Sequence, residues 1–98
     1  MKREESFVTN LAKLYIALIL YRGPAHGYAI MKDFQDITGK VLSCGQVYPL
    51  LADMEKKGLV QWKEEADGKR KKKVYSLTED GKKFADGLKA KIMKLLGI

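Results

Sequence analysis

The sequence has few of the residues that build covalent, metal or catalytic centres. Cys44 is the only cysteine among 98 residues, which excludes an internal disulfide and any metal site that needs several cysteines of one chain. We therefore expect a reducing, cytoplasmic setting, no metal and no cofactor. His26 is the only histidine, and neither it nor Cys44 has paired carboxylates or a phosphate-binding glycine loop nearby. We expect no enzymatic activity.

The chain also lacks a long hydrophobic run. The apolar stretch from Leu14 to Tyr21 is much shorter than the ~20 residues that a membrane-spanning helix needs. Glu4 and Glu5 do not fit the positively charged start of a signal peptide. We interpret the stretch as a buried helix and expect no membrane association.

Negative charge is the third shortage. Twelve Asp and Glu residues stand against 19 Lys and Arg, which gives a net charge of +7 and a pI near 9.5. Such a balance favours a polyanionic partner, although lysines also serve solubility alone. The hydrophobic fraction of 46% is typical of a soluble folded protein, and the length fits one core.

Hydrophobic spacing predicts a first helix from Ser6 to Tyr21 that is apolar on two faces. One face starts at Phe7, with Val8 beside it. A small helical core covers only one such face, so we expect the other to contact a second subunit. Together with the last helix it gives a predicted dimer interface of Leu11, Leu14, Tyr15, Leu18, Ile19, Leu88, Ile92 and Leu95.

Two more helices follow a break at Gly23 and Pro24. The second covers Gly27 to Thr38 and stops at Gly39. The third starts at Ser43, which forms a capping box with Gln46, and ends at Gly58. Its predicted inward face is Val47, Leu50, Leu51 and Met54, and its outward face is Gly45, Pro49, Ala52 and Lys56.

The periodicity then changes to two, which predicts a β-hairpin. Its strands are Leu59 to Glu65 and Lys72 to Leu77, joined across Asp67-Gly68. Thr78 caps a last helix. The fold class is mainly α with a small β-hairpin: a winged helix-turn-helix of three helices plus a two-stranded wing, residues 1–78, and a C-terminal dimerisation helix, 79–98.

Several motifs in this order resemble the PadR family of regulators. They are GPAHGY at 23–28, LSCGQVYPLL at 42–51, EKKGLV at 55–60 and KVYSLTEDG at 73–81. The resemblance implies a homodimer that binds double-stranded DNA at palindromic half-sites, usually to repress transcription. Cys44 and Gln46 stand where the family commonly has Pro and Ser or Thr, so the resemblance does not predict base preference.

A small-molecule effector is known for some family members, which release DNA when a phenolic or drug-like compound binds. Members that hold flat drugs between subunits use a Trp in the last helix. The single Trp here, Trp62, falls in the predicted wing, so the sequence does not indicate such a ligand.

The candidate DNA-binding residues belong to three segments. Recognition helices enter the major groove by their N-terminal end, and Gln46 can contact adenine or merely cap its helix. The lysine-rich tip of the hairpin would contact phosphates; its alternative is a solvated turn. The full set is Ser43, Gly45, Gln46, Tyr48, Tyr28, Lys32, Lys69, Arg70, Lys71 and Lys72.

Three other interpretations stay open. For His26 a structural hydrogen bond in the turn is favoured over DNA contact or pH sensing. Trp62 and Tyr75 are expected to face each other or the core across the hairpin. The winged fold also serves RNA-binding and protein-docking modules, but the aromatic residues do not lie among the wing lysines as a base-stacking surface would require.

Overall fold

A computed structural model describes the backbone of residues 2–98 and the side chains of 11–66 and 68–98. Phe7 and Val8 lie outside the described side chains. Within 2–98 the chain forms four helices and three strands. In chain order they are α1 (Lys2–Tyr21), β1 (Ala25–His26), α2 (Gly27–Thr38), α3 (Cys44–Lys56), β2 (Val60–Asp67), β3 (Arg70–Leu77) and α4 (Glu79–Leu96).

The mainly helical winged fold is confirmed, and so are its helix boundaries, except that α1 begins at Lys2 instead of Ser6. Gly39 ends α2 with a φ of 75°, in the left-handed region that glycine adopts readily. Thr78 caps α4 because its side chain accepts a hydrogen bond from the Gly81 N–H at 3.0 Å. None of the helices described is long and apolar enough to span a bilayer.

The core lies where α1, α2 and α3 meet the inner face of the sheet. Its central members come from all of these elements and include one residue of α4. They are Ile16, Ala17, Leu20, Ile30, Val47, Leu51, Met54, Val60, Tyr75, Leu77 and Ala85. A smaller cluster of Ala12, Ile19 and Phe34 adjoins it. Both faces of the middle of α1 are therefore apolar, as expected, but the inward one is centred on Ile16 and Leu20.

The sheet has three strands, one more than the hairpin predicted from the sequence. Its order is β1-β3-β2, because Ala25 and His26 pair antiparallel with Tyr75 and Val74. A two-residue strand is too short to show period-two alternation, so the sequence indicated only a turn there. The extra strand fixes the start of α2 beside the base of the wing.

The hairpin turn is shifted by one residue from the predicted Asp67-Gly68. Asp67 pairs with Arg70, which leaves Gly68 and Lys69 as the two turn residues. Gly68 has a φ of 65°, as the first position of a tight hairpin turn requires. The strands are consequently longer than predicted, and Arg70 to Lys72 belong to β3.

The start of α4 is packed closely against the turn between α3 and β2. The Thr78 N–H donates to the Leu59 carbonyl at 3.0 Å, and its hydroxyl donates to the Gly58 carbonyl at 2.6 Å. A Cβ added at Gly81 would lie 2.0 Å from the Leu59 oxygen. The first turns of α4 are therefore part of the domain's core, while Leu95 and Leu96 near its end are exposed.

Candidate nucleic-acid interface

The start of α3 is held by the predicted capping box. Ser43 lies in extended backbone just before the helix. Its backbone N–H donates to Gln46 Oε1 at 3.0 Å, and its hydroxyl donates to the same oxygen at 3.2 Å. Gln46 is exposed, but a bidentate contact to adenine needs this oxygen as well as the amide nitrogen. Base reading by Gln46 would thus replace its capping bonds.

The outward face of α3 is open and made of small side chains near the helix start. The predicted inward and outward faces are both confirmed: Val47, Leu51 and Met54 are buried, whereas Gly45, Pro49, Ala52 and Lys56 are exposed. Leu50 is partly buried against the core. A second surface can therefore approach the first two turns of α3 closely.

Tyr48 of α3 packs against the start of α2, where His26 and Tyr28 lie. Tyr48 packs over Gly27, where an added Cβ would lie 2.4 Å from the tyrosine hydroxyl oxygen. His26 caps α2, since its Nδ1 accepts from the Ala29 N–H at 3.3 Å, which confirms the structural hydrogen bond expected for it. Tyr28 projects outward and is 70% exposed.

A groove of about 580 Å³ separates these residues from the wing. One side is the N-terminal end of α2, the positive end of the helix dipole, which favours an anion. The other side is cationic and comes from β3. The lining residues are His26, Gly27, Tyr28, Tyr48, Arg70, Lys71, Lys72 and Lys73. Four basic residues of one strand border the groove, with side chains that alternate between the two faces of the strand. Their positive charge makes this region suitable for a phosphate backbone.

Five candidate residues lie outside this groove: Ser43, Gly45 and Gln46 at the start of α3, and two lysines. Lys32 is exposed one turn further along α2, and Lys69 is exposed at the wing turn. Both can reach a large ligand that extends past the groove. Lys73, by contrast, lines the groove although the set chosen from the sequence ended at Lys72. Its position in the run of basic residues from Lys69 to Lys73 could have identified it as a candidate.

The acidic residues of α3 are engaged within the chain. Asp53 forms ion pairs with Lys13 of α1 and, at 3.0 Å, with Lys57. Hydrogen bonds from Lys13 and then Lys57 lower the pKa of Asp53 to about 2. Glu55 accepts a hydrogen bond from the Trp62 indole nitrogen at 3.1 Å. The far end of α3 is thus occupied by internal contacts, while its start is free for a ligand.

Trp62 and Tyr75 face each other across the hairpin, as predicted, because they are direct partners in the β2–β3 register. Tyr75 is buried, and burial, followed by the nearby Tyr48 and Glu55, raises its pKa. Trp62 is 38% exposed, with Lys73 Nζ 4.2 Å from the centre of its ring. The expectation that the aromatic residues do not lie among the wing lysines was therefore wrong, since Trp62 contacts Lys73 and two tyrosines share the groove with the wing. These contacts join different elements, so spacing in the sequence gave no sign of them.

A second surface, on the side formed by α1, α2 and α4, is apolar. It surrounds a cavity of about 340 Å³ lined by Tyr15, Leu18, Ile19, Arg22, Ile37, Thr38 and Ile92. The remaining predicted interface residues differ in exposure: Leu14 and Leu88 are half-buried, and Leu11 and Leu95 are exposed. Ile19 is 5% exposed and packs against Phe34 of its own chain, so it has little surface left for a second subunit.

Comparisons with known proteins agree with this architecture. Residues 16–86 match the model of the "Transcriptional regulator PadR-like family". The chain is 31% identical over 87 residues to the transcriptional regulator YqjI of Escherichia coli, covering 87% of this chain and 41% of that protein. It spans between 22% and 41% of the length of the curated relatives it matches.

Solved structures show the same fold. A PadR-like transcription factor from Bacteroides fragilis superposes with a TM-score of 0.88 at 21% identity, over 99% of this chain and 94% of that one. Bacillus subtilis PadR, in a complex with operator DNA, superposes with a TM-score of 0.70 at 28% identity, over 78% and 45%. The chain belongs to the PadR-like family of transcriptional regulators.

Proposed function

We propose that this protein is a sequence-specific regulator, a repressor in the cytoplasm, that binds double-stranded DNA as a homodimer. Residues 1–78 would bind DNA, and 79–98 would complete the dimer. The start of α3 would enter the major groove, and the wing would contact the phosphate backbone or minor groove. The observation that carries this proposal is the cationic groove between the wing and α2, beside the exposed first turns of α3.

The shape of this surface favours a duplex. α3 has 13 residues and is therefore about 20 Å long, a length that suits the major groove. Gly45 at its start has no side chain to hold a base edge away. The groove and Arg70 at the wing lie to one side, where a flanking phosphate strand would pass. The known complex of Bacillus subtilis PadR with operator DNA supports duplex DNA as the ligand.

The apolar surface of α1 and α4 supports the homodimer. Tyr15 and Leu18 on α1 and Ile92 on α4 border one cavity, and Leu95 and Leu96 continue α4 as an exposed apolar end. A second copy that covers this surface would place two α3 helices on one duplex, with half-sites one helical turn, about 34 Å, apart.

Selection of bound duplexes from a random pool tests the proposal. We expect enrichment of paired inverted half-sites whose spacing matches one turn of DNA. Competition with single-stranded RNA and with heparin at equal charge provides the control. Equal binding to all three polyanions without an enriched sequence would contradict the proposal, and preferential binding to the RNA would favour an RNA-binding module.

Gln46 permits a sharper test because its cap and its base contact can be separated. In Gln46→Glu a carboxylate oxygen can still accept from the Ser43 N–H, so the fold should keep its melting temperature. Glutamate accepts from cytosine but cannot donate to adenine N7. We expect the selected sequence to change at one position per half-site in Gln46→Glu. An unchanged sequence would limit Gln46 to capping.

A further inference from the structure

Trp62 stands where the wing leaves the core. On the inner face of the hairpin the successive pairs are Val60 with Leu77, Trp62 with Tyr75, and Glu64 with Lys73. The first pair is buried, the second holds one buried and one part-exposed ring, and the third is exposed. Trp62 is therefore in the last apolar layer before the two strands continue as a free ribbon.

The indole connects this ribbon to the recognition helix. Its Nε1–H donates to Glu55 Oε2 of α3 at 3.1 Å. On the wing, Lys73 Nζ lies 4.2 Å from the centre of the ring, in the position of a cation–π contact. The same Lys73 lines the cationic groove. One side chain thus contacts the base-reading element and the phosphate-binding element at once.

We propose that Trp62 is a positioning residue that sets the direction of the wing relative to α3, an inference that rests on the proposed DNA-binding function. A two-stranded ribbon is only marginally stable by itself and twists readily. A directional hydrogen bond at its base restricts that motion. The charges of Arg70 and Lys71, further out on the ribbon, are then held at a fixed distance from Gln46.

Three variants separate this role from simple packing. Trp62→Phe keeps an aromatic ring and removes the N–H donor. Glu55→Ala removes the acceptor, whereas Glu55→Gln removes the same charge and keeps an oxygen that can accept the bond. Because Glu55→Ala and Glu55→Gln have equal charge, a difference between them reports the hydrogen bond and not the loss of repulsion towards phosphate.

Amide hydrogen exchange of the DNA-free protein is the first measurement. We expect faster exchange in residues 70–74 of Trp62→Phe and Glu55→Ala than in the parent, and parent-like exchange in Glu55→Gln. Exchange in residues 47–51 of α3 should be the same in all four proteins. Identical wing exchange in Glu55→Ala and Glu55→Gln would overturn the proposal.

Duplex binding over a range of salt concentrations is the second measurement. Trp62→Phe should bind about fivefold more weakly than the parent, and Glu55→Ala about fivefold more weakly than Glu55→Gln, the effect of one lost hydrogen bond. Equal affinities within both pairs would also overturn the proposal. A parent protein with no affinity for duplex would instead refute the proposed function, and the exchange result would still decide the role of Trp62.

Discussion

Removal of the wing charges gives the most direct test of the proposed binding to DNA. The variant replaces Lys69, Arg70 and Lys71 by Ala. Arg70 and Lys71 line the cationic groove, and Lys69 is exposed at the turn. The proposed dimer would therefore lose two or three phosphate contacts per subunit, between four and six in all, depending on whether Lys69 reaches the backbone.

The size of the effect follows from counterion release. Each lost contact lowers the slope of log affinity against log salt concentration by about 0.9 for a DNA duplex. Four to six contacts reduce the slope by about 4 to 5. Over a fourfold salt range, such as ~50 to ~200 mM, the parent should lose about 10² to 10³ more affinity than the variant.

Fluorescence anisotropy with a labelled duplex at several salt concentrations measures this slope. The matched control replaces Lys82, Lys83 and Lys94 of α4 by Ala, which removes the same charge from exposed positions that do not line the cationic groove. The control should keep the parent's slope. Equal slopes in the two triple variants would mean that net charge alone attracts DNA and that the wing makes no specific phosphate contact.

The other predictions concern the stability of the fold and the proposed dimer surface. Gly81→Ala should destabilise the fold by about 1–3 kcal/mol, because an added Cβ would collide with the Leu59 backbone. Gly87→Ala has open space around the added Cβ and should stabilise the fold by about 0.5–1 kcal/mol. Equal melting temperatures of the two variants would contradict this prediction. Leu18→Glu should give a folded monomer in sedimentation, and an intact dimer would remove the proposed interface. The lowered pKa of Asp53, about 2, means that its ionised form adds stability above its unfolded pKa of about 4 and that this is lost as pH falls towards 2. Asp53→Asn should therefore lose less stability than the parent between pH 4 and pH 2 in acid titrations followed by circular dichroism.

Features governed by local spacing could be predicted from the sequence. The inward face of α3, the capping box at Ser43 and the helix stop at Gly39 each depend on residues within one or two helical turns. The facing of Trp62 and Tyr75 was expected, but their exact register follows from the turn at Gly68 and Lys69, since a turn at Asp67-Gly68 would have placed Lys73 opposite Trp62. The run of basic residues after Gly68 is contiguous in the sequence, so the cationic side of the groove could also be predicted.

Features that depend on contacts between distant elements were not predictable. The third strand needs β3 as its partner, and its own two residues have no pattern. The turn position was missed by one residue because glycine fits either position of a two-residue turn. The bond from Trp62 to Glu55 joins a strand to a helix, and no periodicity states which side chains meet there.

The two proposed surfaces are connected through a very small core. α1 presents Tyr15 and Leu18 to the apolar cavity and packs Ile16 and Leu20 against the other elements. It is also joined to the recognition helix by the ion pair between Lys13 and Asp53. A shift of α1 at the proposed dimer surface would therefore move α3 directly, since close-packed cores transmit displacement and do not absorb it. In the proposed complex the spacing between half-sites would depend on this helix pair, and base preference on the side chains at the start of α3.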